Sequence, residues 1–168
     1  MDKNLKKLIA AAMMAAVGFA LSGFSFPIGA SRCFPMQHLI NVITGVVLGP
    51  WYAVASAFCI SVMRNLAGTG SLLAFPGSMV GAFCCGMLFQ KTGKLLPAYA
   101  GEIIGTGIIG GILCYPVATL LMGKEAALFA YVLPFLVSTA GGTCIAALLI
   151  ATLKRSGAMD VMKQSLEM

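Results

Sequence analysis

Charged residues are scarce in this chain. Only 10% of its 168 residues are Asp, Glu, Lys or Arg, against about 25% in an ordinary soluble domain. Eleven basic and five acidic side chains cannot build the polar shell that a water-soluble core of this size requires. Catalytic and ligating groups are scarcer still, with one histidine, one tryptophan and six cysteines of which no two stand in CxxC spacing. That excludes zinc-ribbon and thioredoxin-like sites. No HExxH or GxSG occurs, so zincin and intramembrane serine-protease motifs are absent, and without GKS or GKT there is no phosphate loop for a nucleotide. We expect no metal, no cofactor, no nucleic-acid partner and no catalytic residue.

What remains is apolar: 60% hydrophobic residues, 20 glycines and a mean hydropathy of +0.96. Such a surface must face lipid, and we read residues 1–168 as one all-α integral membrane domain. Apolar stretches run over Leu5–Gly23, Ser78–Gln90, Leu95–Met122 and Ala127–Leu153. Between His38 and Arg64 the sequence allows one helix kinked at Pro50 or two helices joined at Gly49-Pro50. Two helices give six spans, with Lys3, Lys6, Lys7, Lys91, Lys94, Lys154, Arg155 and Lys163 on the side of the N-terminus and Arg32, Arg64 and Lys124 opposite. One kinked helix divides the same residues five against six. The positive-inside rule therefore favours six spans, both termini cytoplasmic (residues 1–4 and 155–168), and outward loops at 24–37 and 65–77. The basic, then apolar, start also fits a cleavable signal peptide, which would remove the first span. We expect the tail after Lys154 to be a short polar end.

Small residues mark faces where helices approach. Ala11/Ala15 and Ala12/Ala16 form a smooth stripe on the first helix, suited to docking or to internal packing, whereas Gly45/Gly49, Gly77/Gly81, Gly101/Gly105 and Gly107/Gly111 read as internal packing. Polar residues within the spans are few. His38 and Asn41 share a helical face, Arg64 and Asn65 end the third span, Glu102 lies two turns into the fifth, and Tyr115, Tyr131, Ser138 and Thr139 follow. Ionisable groups inside a bundle are costly unless paired or wetted, so each is a site candidate; for His38 and Arg64, solvation at the outer interface is the alternative, and for the tyrosines, interface anchoring. The loop "NLAGTGSLLAFPGSMVGA" adds Thr69, Ser71 and Phe75 as groups able to line a cavity.

The phrases "PMQHLINVITGVVLGPWYA", "GTGSLLAFPGSMVGAFCCG" and "GEIIGTGIIGGILCYPVA", with the Ala-rich first helix, resemble the ThiW group of substrate-binding S components from energy-coupling factor (ECF) transporters. The resemblance covers nearly the whole chain. It implies an S-component-like bundle in a bacterial plasma membrane that captures a vitamin precursor from outside, for ThiW the thiazole moiety of thiamin, hydroxyethylthiazole. It also implies docking of the alanine stripe (Ala11, Ala12, Ala15, Ala16) on a transmembrane T component, with two ATPase subunits completing the transporter. On this reading Gln37, His38 and Asn41 project into an outward cavity, Phe34, Phe75, Tyr115 or Tyr131 stack on the ligand ring, and Glu102, deeper toward the cytoplasmic half, holds the ring nitrogen or pairs with a polar neighbour in the bundle. An S component for another vitamin-like ligand, and a stand-alone secondary transporter, are the alternatives.

Overall fold

The computed structural model describes residues 2–29 and 31–167. Its helices are α1 (Lys3–Ala20, extended by a tight turn over Leu21–Gly23), α2 (Pro35–Leu48), α3 (Pro50–Leu66), α4 (Ala74–Thr92), α5 (Leu95–Leu121), α6 (Val132–Arg155) and α7 (Ala158–Glu167). A short antiparallel hairpin of β1 (Phe26–Ile28) and β2 (Ser31–Cys33) joins α1 to α2, with Phe26 opposite Cys33 and Ile28 opposite Ser31. The sequence gives no strand signal there; the stretch read as a loop over 24–37 carries this hairpin and, from Pro35, the first turn of α2.

Polarity is inverted relative to a soluble bundle. Leu8, Met13, Trp51, Leu96, Leu120, Leu133 and Leu148 are exposed, while Gln37, His38, Asn41, Arg64, Ser78, Glu102 and Thr139 are buried. Three helical stretches, Lys3–Gly23, Leu95–Leu121 and Val132–Arg155, are long and apolar enough to cross a membrane. The chain is an all-α membrane protein apart from the hairpin. Helix α2 is the exception that organises the rest. At 14 residues it reaches only about 21 Å, short of a hydrocarbon core of about 30 Å. Twelve of its residues are buried, because α1, α3, α4 and α6 pack around it. Its Leu39, Val42, Ile43 and Val46 form the main apolar cluster with Cys85, Ala98, Ala146, Ile150 and Met159.

Helices α2 and α3 break at Gly49, whose φ of +94° with ψ of 177° suits glycine almost alone, and Pro50 then opens α3 at a position that needs no backbone N–H. We expect Gly49→Ala to lower stability by about 1–3 kcal/mol, read by thermal unfolding in detergent; an unchanged midpoint would mean that the turn relaxes without cost.

Glycines bring α4 and α5 into backbone contact. A Cβ on Gly105 would lie 2.9 Å from Gly81 Cα, and one on Gly110 would lie 2.5 Å from Gly77 Cα. Gly45 likewise meets Gly86, and Gly107 and Gly111 meet α6 at Leu136 and Val132. Of the glycines read as packing pairs, only Gly49 serves a turn instead.

Helix α1 divides its alanines between two faces. Ala11 and Ala15 are buried, Ala15 against Ile40 and Ile60, so they pack the bundle and are not free to meet a partner; Ala12 and Ala16 are exposed. The expected polar tail is also corrected. Residues 158–167 form an amphipathic helix that buries Met159 in the main cluster, and Lys6 Nζ donates to Ser165 O at 3.3 Å.

Candidate functional site

The start of α2 is pinned before its side chains do anything. Pro35 sets the first helical turn, Phe34 N donates to Ser138 Oγ at 2.8 Å, and Cys33 Sγ donates to Pro134 O at 3.1 Å, tying hairpin and helix to α6. Gly142 lets α6 approach so closely that a Cβ there would overlap the Pro35 carbonyl.

Held in this way, His38 meets Glu102 of α5. Nδ1 lies 2.9 Å from Glu102 Oε1, which also accepts from Asn41 Nδ2 at 3.1 Å and Thr106 Oγ1 at 3.2 Å. An acid in an apolar bundle is tolerated when such donors replace water. Asn41 Nδ2 donates a second time, to Ser78 O at 3.1 Å. Glu102 Oε2 and Asn41 Oδ1 are buried and have no partner among the described residues. Glu102 ends the regular part of α5; π-type hydrogen bonding follows over Ile103–Gly110, and Thr139 Oγ1 donates to the Glu102 carbonyl at 3.3 Å. Widened turns of this kind are frequent where a helix carries a functional group. Since Oε1 accepts from the other two groups, the shared proton is assigned to Nδ1, which leaves Nε2 of His38 for the cavity that the ring lines.

A second polar chain runs beside the first. Gln37 Nε2 donates to Ser61 Oγ at 3.2 Å, Ser61 Oγ and Ser78 Oγ are 3.3 Å apart, and Ser78 Oγ donates to Ala74 O at 2.8 Å, so one directional series Gln37, Ser61, Ser78, Ala74 satisfies all three side chains. Gln37 Oε1 accepts from Arg64 Nη1. The Arg64 guanidinium lies 3.4 Å from the centroid of the Phe34 ring, and the residue is 1% exposed.

These groups surround two connected chambers. The inner one is narrow and is walled by Phe34, Gln37, His38, Arg64, Ser138 and Phe135. The outer one is wider and open to solvent, and lies between the hairpin and the α3–α4 loop, with Arg32, Thr69 and Lys124 on its walls. Arg32, Phe34 and Ser71 border both.

Of the residues singled out in the sequence, Phe34, Gln37, His38, Ser71 and Ser138 line the inner chamber and Thr69 the outer one. Asn41 and Glu102 do not reach a wall; they lie behind His38 and fix it, so the expectation that Asn41 projects into the cavity is corrected. Phe75 packs on Phe58 at 5.6 Å between ring centroids, Tyr131 is buried with Leu73, Cys114 and Ala118, and Tyr115 is half-buried outside both chambers; none of the three is placed to stack on a ligand there. The rings on the wall are Phe34 and Phe135. Phe135 carries no local signal, being one apolar residue in an apolar helix. Arg64 did carry one, as an arginine closing an apolar run, but solvation at an interface reads identically in sequence.

Comparison with known proteins adds to this geometry. The fold is similar to that of ThiT from Listeria monocytogenes, with 19% identity, a TM-score of 0.61, and coverage of 94% of this chain and 98% of that one, a likeness that speaks for the fold alone. No curated protein matches. A family model described as thiamine-precursor transporter protein (ThiW) matches residues 8–156, nearly the whole chain. An inside-out helical bundle with a polar chamber at one end is what a membrane transporter of small molecules requires, and on that match the chain belongs to the ThiW family of thiamine-precursor transporter proteins.

Proposed function

We propose that the chain is the substrate-capture S component of an ECF-type transporter, taking up the thiazole precursor of thiamine, hydroxyethylthiazole, across a bacterial plasma membrane. It spans the membrane six times, with both termini cytoplasmic and the chambers open to the outside. The observation that carries this reading is the inner chamber: two phenyl rings, Phe34 and Phe135, beside a histidine whose far nitrogen is fixed by a buried carboxylate. Flat heteroaromatic rings gain about 0.5–1.5 kcal/mol from an aromatic face beyond area burial. With Nδ1 held by Glu102, His38 presents Nε2 to the polar atoms of the ligand, its ring nitrogen or its hydroxyl. The hydroxyethyl arm then extends toward Arg64 and the outer chamber.

Transport needs energy that this chain has no motif to provide, so a T component and two ATPases supply it. The exposed Ala12/Ala16 pair of α1 is the contact through which α1 docks closely on the T component. Ala12→Leu with Ala16→Leu should abolish copurification with the T component and ATPases and reduce uptake at least tenfold, while the isolated subunit keeps its ligand affinity. Uptake and assembly at the parent level would remove the docking face from this account.

A further inference from the structure

We propose that the two chambers together take an anionic form of the ligand, a phosphate monoester on its hydroxyethyl arm, with Arg64, Arg32 and Lys124 holding the phosphate. This rests on the thiazole reading above and extends it to the charge state of the ligand. Arg64 is 1% exposed, and its Nε is buried without a partner among the described residues. Its neutralisation is incomplete: Gln37 Oε1 and the face of Phe34 offer partial charges, and no carboxylate reaches it among the described residues. Glu102 is spent on His38. An unpaired guanidinium in a membrane bundle is among the most expensive groups to maintain, and it is retained where something negative arrives to meet it.

The neighbouring charges point the same way. Arg32 borders both chambers, Lys124 borders the outer one, and among the described residues neither wall contains an aspartate or glutamate. Three cations on one continuous space repel each other in the empty protein, and a dianion removes that repulsion. Arginine matches phosphate oxygens in a planar, bidentate fashion, and the Ser71 hydroxyl at the junction adds a neutral donor. A neutral alcohol uses one of these donors and leaves the others unmatched.

Calorimetry on the full chain in uncharged detergent at low salt, with hydroxyethylthiazole, its phosphate monoester and inorganic phosphate as titrants, tests the proposal. The monoester should bind at least tenfold more tightly than the alcohol, with the difference shrinking as salt is added, and inorganic phosphate should bind far more weakly than either. Arg64→Gln should erase the preference. Lys124→Gln, at an exposed loop position, should reduce it severalfold and keeps the test decisive if the Arg64 variant does not fold. An alcohol that binds as tightly as the monoester overturns the anion site and leaves the thiazole reading standing. Inorganic phosphate that binds as tightly as the monoester overturns joint recognition of ring and phosphate. No binding by alcohol or monoester overturns the thiazole reading and the proposal with it.

Discussion

Glu102→Ala is expected to lower the unfolding free energy by about 3–5 kcal/mol, the scale for breaking a buried charge-assisted network on one side only. The truncation removes the acceptor shared by His38 Nδ1, Thr106 Oγ1 and one N–H of Asn41 Nδ2, which keeps its other bond to Ser78 O. It also opens a cavity at the point where α5 changes to π-type hydrogen bonding. Glu102→Gln separates these effects. Its carbonyl oxygen can still accept from all three donors, while the amide nitrogen takes the place of Oε2, which lies against Gly81 and has no hydrogen-bond partner among the described residues. The glutamine variant should lose less stability than the alanine one and lose ligand affinity, because a neutral amide is a weaker acceptor than a carboxylate and holds the His38 ring less firmly. Denaturant unfolding in detergent micelles reads the first quantity. An alanine variant as stable as the parent would mean that the bundle closes over the gap and that the pair is not part of its framework.

Gly142→Val is expected to be comparably damaging, by several kcal/mol, for a different reason. A Cβ at Gly142 would overlap the Pro35 carbonyl and lie 2.7 Å from His38 Cβ and 3.0 Å from Leu39 N. Two of those three atoms are backbone, so no rotamer change relieves the conflict, and α6 must move away from the first turn of α2. That motion breaks the Phe34 N to Ser138 Oγ bond and tilts His38 off Glu102. Lowered thermal stability and loss of ligand binding should therefore appear together. If the valine variant binds normally, the seating of α2 on α6 does not position the histidine.

Much of the fold is written locally. Apolar runs mark α1, α5 and α6, and the glycine pairs announce the close contacts of α4 with α5, because only a missing side chain allows backbones to touch. Gly49-Pro50 marks a break that the charge distribution independently supports. The hairpin is not legible, since Phe26–Ile28 and Ser31–Cys33 are three residues each and take their order from α6 through Cys33 and Phe34. The start of α4 at Ala74 is likewise masked, with a proline and glycine in its first turn that read as loop. At the site, sequence singles out His38 and Glu102 as exceptional, but 64 residues separate them, and nothing in either neighbourhood says that they meet. Asn41 is legible as polar and not as a brace. The division of the alanine stripe into a buried and an exposed half depends on how α1 is rotated against α2 and α3, which spacing alone does not fix.

The most direct measurement is titration of hydroxyethylthiazole into the purified parent and into His38→Ala by isothermal calorimetry, with unfolding curves recorded on the same samples. The account predicts saturable binding at one site on the parent. It predicts a loss of about 1–3 kcal/mol in the variant, roughly tenfold to a hundredfold in affinity, from a polar atom of the ligand left without its partner. Parent-like affinity in a folded His38→Ala protein would contradict it, by removing from the site the side chain that links the inner chamber to the buried carboxylate.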